Sequence, residues 1–453
     1  MFSIGYNIVR RMASSQSSSI RSLIAVCQMT ATHDPEENFQ TAFSMMHRAK
    51  ERDAKMVFFP ECFDFVGRTR EECISMAVDE DCEYINRYKQ CAKELGLWLS
   101  LGGFHQKDPK GVYKPYNTHL IIDDKGVVRG KYQKLHLFDL DIHERVRVME
   151  SEFSTGGHEL VKPIWTPFGV MAMSICYDLR FSELALWNRR KGAQILTYPS
   201  AFTVNTGQAH WETLLRTRAI ETQCYVVAAA QTGKHNDKRF SYGHAMVVDP
   251  WGAVIAQCSE TVGMCFAEIS LEYLNKVRTT QPIFAHRRSD LYSIITNEKT
   301  PIGDEPFLFG EQSIESSVVF YRSEYSFAFV NRSPVLPGHV LVSSIRKAEK
   351  LTDLTDEETA DLFVVSKKVQ AMIESQYDTK SSTVCVQDGR DAGQTIPHVH
   401  VHIVPRHHGD FSGNPDRFYD ELAENDYINA KRPIRDQKDM SEEASVYRKL
   451  LGS

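Results

Sequence analysis

The sequence predicts an α/β domain followed by a smaller α+β domain, and three observations carry that reading. Strand-type and helix-type hydrophobic patterns alternate as far as Asn297. Asparagine, proline and glycine then break the pattern between Thr296 and Gly310, and beyond the break short strand-type runs flank one long helical run. A chain of 453 residues also exceeds what one hydrophobic core ordinarily serves. The expected divisions are a leading segment over 1–21, a first domain over 22–297, a linker over 298–306 and a second domain over 307–453.

The first element is Ser22-Leu-Ile-Ala-Val-Cys-Gln28, an apolar run of buried-strand length. Asp34-Pro35 marks a helix start, since aspartate caps free amides and proline fits the first turn. Phe39, Ala42, Phe43, Met46 and Ala49 then recur at helical spacing, and Lys55 to Phe59 reads as the next strand. The alternation continues with a strand at Val170–Ile175, a helix at Glu183–Arg190, a strand at Gln194–Tyr198, a helix near Gln208–Glu221 and a strand at Tyr225–Ala230. His244–Val248, closed by Pro250-Trp-Gly252, and Met264–Glu268 read as consecutive strands. In the second domain strands are expected at Val318–Tyr321, Ser326–Val330 and His339–Ser343, a helix at Asp356–Gln376, and strands at Thr383–Gln387 and His398–Val404. From Ala430 onward the tail is charged and is expected to be partly helical or mobile.

A hydrophobic share of 42% and a net charge of -6 fit an ordinary globular chain and point away from nucleic acid as a partner. A polyanionic substrate would need a locally basic pocket. No apolar run is long enough to cross a bilayer. The ten cysteines form no Cys-x-x-Cys pair, and Cys27, Cys176 and Cys224 lie in apolar runs, as in a reducing compartment without a disulfide framework. Met1–Arg21 holds Arg10, Arg11, Arg21 and five serines between Ser14 and Ser19 but no acidic residue, a composition like that of a mitochondrial targeting segment or of a disordered tail. The expected location is the cytoplasm, with mitochondria as a further address through that segment.

Three polar residues fall where strands should end: Glu61, Lys134 and Cys176. A thiol becomes a nucleophile when a neighbour takes its proton, which a carboxylate can do, and an ammonium can hold the charge that develops on an attacked carbonyl. Each residue alone also has a plain reading, as a core thiol, a helix-start acid or a strand-edge cation. The words around them decide. Phe59-Pro-Glu-Cys62, Lys134-Leu-His-Leu-Phe-Asp139, Cys176-Tyr-Asp-Leu-Arg-Phe-Ser-Glu183 and Asp249-Pro-Trp-Gly252, in this order, resemble the nitrilase superfamily over roughly Ser22 to Asn297. The resemblance implies a four-layer αββα sandwich and a catalytic Glu-Lys-Cys set at Glu61, Lys134 and Cys176. It also implies a second active-site glutamate, matched by Glu150 with Glu152 close by, while Ser182 stands where a proline is usual. The branch it is most similar to hydrolyses amides and includes amidases of deaminated glutathione, so a small carboxylated amide is the expected substrate.

The second constellation is Pro397-His-Val-His-Val-His-Ile-Val-Pro405. On a strand, alternation would place His398, His400 and His402 on one face, where they could span a phosphate chain or, with a further ligand, hold a metal ion. Gln387-Asp-Gly-Arg-Asp-Ala-Gly-Gln-Thr395 and Phe329-Val-Asn-Arg-Ser-Pro-Val-Leu-Pro-Gly-His-Val-Leu-Val342 complete a resemblance to the fragile histidine triad branch of the histidine-triad superfamily, from about Pro306 onward. Together the two parts resemble the nitrilase and fragile histidine triad fusions of invertebrates. By that resemblance His400 attacks the α-phosphorus of a diadenosine tri- or tetraphosphate. His402 and His339 contact phosphate, His398 orients His400, Gln394 positions the leaving group or water, and Gln387 and Asn331 bind phosphate or ribose. No tightly bound cofactor is expected, and Mg2+ or Mn2+ would travel with the polyphosphate. Two-fold interfaces are usual in both families, which implies a homotetramer. Two rival readings make the second domain a nucleotide sensor and the first an assembly scaffold.

Overall fold

The computed structural model describes residues 21–142, 146–288, 291, 292, 294, 296, 300–414, 416–424 and 433–452. The leading segment up to residue 20 and part of the expected linker lie outside the described residues. Two compact units are present, the first ending at Arg287 and the second beginning at Arg288. Within the Pro/Gly-rich stretch, the Thr300 amide donates to the Arg322 carbonyl at 3.0 Å and Ile302 packs on the second core, so this part folds with the second unit.

In the first unit an eight-stranded sheet is centred on Arg21–Met29, which runs parallel to Met56–Phe59 and antiparallel to Gly263–Ser270. Met56–Phe59 is parallel to Trp98–Gln106, and Tyr116–Ile122 and Val128–Gln133 extend that side antiparallel. Both faces of the central strands are covered, which is why they read as unbroken apolar runs. Outside, the helices Pro35–Glu51 and Glu83–Leu95 bring Phe39, Met46, Tyr88 and Ala92 against Ala25, Val57 and Phe59. Inside, Ile24, Val26, Met56 and Phe58 meet Met171, Ile195 and Val226 of a six-stranded sheet. The helices Ser182–Arg190 and Val204–Thr222 bury Ala185, Leu215 and Ala219 in the same cluster, completing an αββα arrangement.

Asp34 starts the first helix as expected, its side chain accepting from the Glu36 amide at 2.9 Å. Phe43 departs from the expected buried stripe: it is 37% exposed at the edge of that face, against the His47 ring, while Met45 is buried. A larger difference concerns Tyr225–Ala230. The run divides between two sheets, Tyr225–Ala228 in the six-stranded and Ala230–Lys234 in the eight-stranded one. Three successive alanines, Ala228 to Ala230, let the backbone cross there, and Ser200 stitches the crossing by donating its amide to Ala229 and accepting from the Gln231 amide.

The second unit is α+β. Its five-stranded antiparallel sheet runs in the order Val319–Arg322, Ser326–Val330, Val340–Ser344, His400–Pro405, Ser382–Cys385. The helix Asp356–Gln376 lays Leu362, Val365, Val369 and Ile373 on the core and starts in a capping box between Thr355 and Glu358. The charged tail contains a helix, Gln437–Leu451, which adds Met440, Ala444 and Tyr447 to that core. All ten cysteines are free, and no helix among the described residues is long and apolar enough to cross a membrane.

Candidate active sites

Strand ends assemble the first site. Glu61 follows Met56–Phe59 across Pro60, Lys134 follows Val128–Gln133, and Cys176 lies just beyond Gly169–Met173. The relative exposures of Glu61, Lys134 and Cys176 are 3%, 2% and 7%. Lys134 Nζ donates to Glu61 Oε1 at 2.8 Å and to Glu150 Oε2 at 2.7 Å. Glu152 instead pairs with Arg70, so it is Glu150 that joins the site. The Cys176 thiol lies close enough to the Glu61 carboxylate for the two to interact electrostatically. Cys176 also holds a φ of 46°, a left-handed conformation that non-glycine residues rarely adopt, which fits a side chain turned out of its strand path.

The charges follow from this geometry. Burial opposes ionisation of Glu61, but Lys134 outweighs it and holds the carboxyl below its ordinary value. Burial likewise opposes the charge on Lys134, and Glu150 and Glu61 together push its pKa well above the usual lysine range. Burial and the Glu61 carboxylate raise the Cys176 thiol well above its ordinary value. The resting set is therefore a neutral thiol beside an ionised base, with a fixed cation between two carboxylates.

Three contributors carried no sequence signal. Asn117 Nδ2 donates to Glu61 Oε1 at 2.8 Å, and the Ala201 amide donates to Glu61 Oε2 at 2.9 Å. Arg239 lines the same cavity of about 800 Å3, on whose walls Phe138, Leu140 and Phe153 are apolar. Strand alternation could have placed Asn117 inward, but nothing local marks it as facing Glu61.

In the second unit only His400 and His402 lie on the strand; His398 precedes it, against the expectation of three on one strand face. The reason lies in its partners. His398 is 0% exposed, its Nδ1 accepts from the Gly310 amide at 3.0 Å, and its Nε2 lies 2.8 Å from the Ser344 carbonyl, which pulls the ring away from the strand row. The His398 carbonyl in turn accepts from His400 Nδ1 at 2.7 Å, so orientation of His400 runs through the backbone of His398 and leaves His400 Nε2 with its lone pair free. His339 Nδ1 accepts from the Val335 amide at 3.1 Å, so its Nε2 donates to His402 Nδ1 at 3.0 Å. His402 Nε2 must then carry a proton, and it is buried without a partner.

Burial lowers His400 to about 4 and lowers His398 as well, and burial with the neighbouring His400 and His339 pushes His402 well below its ordinary value. All three are neutral near pH 7. Gln394 is held by the Gly389 amide and the Glu349 carbonyl, each at 2.8 Å, and so braces its loop. Asn331 lies against His339, and Gln387 lies beside Gly393. Among the described residues, no group of three or more His, Cys, Asp or Glu side chains is arranged to hold a metal ion. His105 and His136 are structural, bonded to Asp64 at 3.0 Å and Asp178 at 2.7 Å.

An αββα unit with a buried acid–amine–thiol set, followed by a histidine row, defines a carbon–nitrogen hydrolase fused to a histidine-triad domain. Family models agree, with a carbon-nitrogen hydrolase match over residues 23–279 and a HIT domain match over 312–409. The chain is 58% identical over 431 residues to the nitrilase and fragile histidine triad fusion protein NitFhit of Caenorhabditis elegans, covering 95% of this chain and 97% of that one. The crystal structure of the C. elegans NitFhit protein matches with a TM-score of 0.85 at 57% identity, over 95% of this chain and 99% of the other. Deaminated glutathione amidase of Bos taurus is 50% identical over 286 residues, 63% of this chain and 87% of its own length. The chain belongs to the NitFhit fusion family.

Proposed function

We propose that the chain is a bifunctional hydrolase. In the first unit Cys176 attacks the carbonyl carbon of a small carboxylated amide, Glu61 takes the thiol proton and passes it to the departing amine, and Lys134 stabilises the oxyanion. Glu61 then activates water, which releases the carboxylic acid and regenerates the thiol. The observation that carries this is the Lys134 ammonium fixed between Glu61 and Glu150 beside a neutral thiol. The name of the amidase relative supports deaminated glutathione as substrate.

In the second unit His400 Nε2 attacks the α-phosphorus of a diadenosine tri- or tetraphosphate. ADP or ATP leaves, and water cleaves the nucleotidyl-histidine to AMP. The unpartnered His402 N–H supports this reading, since it is a donor waiting for a phosphate oxygen. Gln387 and Asn331 are proposed to contact phosphate or ribose, and Mg2+ or Mn2+ arrives on the substrate.

Quenched-flow mass spectrometry tests both steps. Wild type quenched during turnover of deaminated glutathione should carry an acyl adduct on Cys176 alone, and diadenosine tetraphosphate should leave an adenylyl group on His400 alone. Adducts on other residues would overturn the corresponding assignment.

A further inference from the structure

Arg239 brings to the amide cavity a charge that the bond-breaking chemistry does not use. It sits at the tip of the hairpin joining Ala230–Lys234 to Phe240–Tyr242. Asn236 Oδ1 accepts from the Lys238 and Arg239 amides at 3.0 Å each, and the His235 amide donates to the Arg239 carbonyl at 3.0 Å. His235 is itself buried and bonded to the Ala31 carbonyl and the Ser241 hydroxyl, each at 2.8 Å. Asn236 Nδ2 reaches the Gly67 carbonyl at 3.4 Å, tying the tip to the loop that starts at Glu61. The backbone of Arg239 is thus fixed at the wall of the cavity that contains Cys176 and Lys134.

The other cations of this cavity are committed or exposed. Lys134 is bonded to Glu61 and Glu150, Arg68 to Glu72 at 2.7 Å, Arg70 to Glu152, and His105 to Asp64, while Lys238 is exposed to solvent. The half-buried Arg239 guanidinium makes no hydrogen bond or ion pair with another described residue. Burial opposes its charge, yet the surrounding Cys62, Glu61, Cys73 and Glu150 hold its pKa above the ordinary arginine value. A half-buried cation without a bonded anion is unfavourable unless a ligand supplies one, and a planar guanidinium suits a carboxylate through two parallel hydrogen bonds.

We propose that Arg239 selects the substrate of the amide site by receiving, in a forked hydrogen bond, a carboxylate carried by the molecule whose amide is cleaved. This rests on the amidase reading above. The carboxylate can lie on the acyl side or on the amine side of the scissile bond. Succinamate and butyrylglycine, each compared with its methyl ester, separate the two.

The test compares wild type with Arg239→Met and Arg239→Lys in the full chain. Turnover of the preferred free acid over its ester should fall about tenfold in Arg239→Met, through KM rather than kcat, and partly recover in Arg239→Lys. Independently of turnover, alkylation of Cys176 by anionic iodoacetate relative to neutral iodoacetamide, followed by peptide mass spectrometry, should fall by a similar factor. Unchanged ratios in Arg239→Met, in a chain that still cleaves the amide, would overturn the role of Arg239 alone. A wild-type chain that cleaves neither of these amides nor deaminated glutathione would overturn the amidase reading and this role with it.

Discussion

Lys134, 2% exposed, keeps Glu61 ionised and donates hydrogen bonds to both Glu61 and Glu150. Replacing it with methionine leaves two buried carboxylates facing each other without a counter-charge. Lys134→Met should therefore destabilise the first unit by about 3–5 kcal/mol, read as a lowered urea midpoint, besides abolishing amide turnover. A midpoint equal to wild type would contradict the burial of the set. In the other unit the acid limb of catalysis follows from His400. Its folded value, about 4, lies below the ordinary imidazole value, so the neutral nucleophile persists as pH falls through 6.5 and is lost only near 4. The pH profile of single-turnover adenylylation should be flat from pH 7 to about 5 and drop below. An inflection near 6.5 would show His400 to be solvated instead.

Strands and their ends explain how much of this was legible. Glu61 and Cys176 could be placed because each follows an apolar run at the point where a strand stops, whereas Lys134 follows a largely polar strand and was marked by the words around it. The division of Tyr225–Ala230 between two sheets was not readable, because alanine satisfies a strand pattern and permits a crossing equally well. His398 was misplaced by the alternation itself: spacing sets the faces of a strand, but the Gly310 amide and Ser344 carbonyl that capture this ring come from distant segments. Asn117 and Arg239 depend in the same way on non-local approach. Gly103 shows how the fold delivers Asn117. A Cβ at Gly103 would lie 2.4 Å from Asn117 Oδ1, so Gly103→Ala must displace the side chain that braces Glu61. Steady-state assay should give amide turnover reduced between about ten- and a hundredfold, with diadenosine hydrolysis retained. Equal loss of both activities would point to general unfolding.

As a whole molecule the chain has two units with separate hydrophobic cores, and the two proposed chemistries share no intermediate. We propose that it assembles as a homotetramer, which light scattering would register as four chain masses and which a monomer or dimer would refute. The central claim is that each unit carries its own complete hydrolytic site. The most direct measurement presents deaminated glutathione and diadenosine tetraphosphate together to wild type, Cys176→Ala and His400→Asn, with products resolved by mass spectrometry. The prediction is that Cys176→Ala loses only the amide products and His400→Asn loses only AMP and ATP. Loss of both product sets in one variant, or of neither, would contradict it.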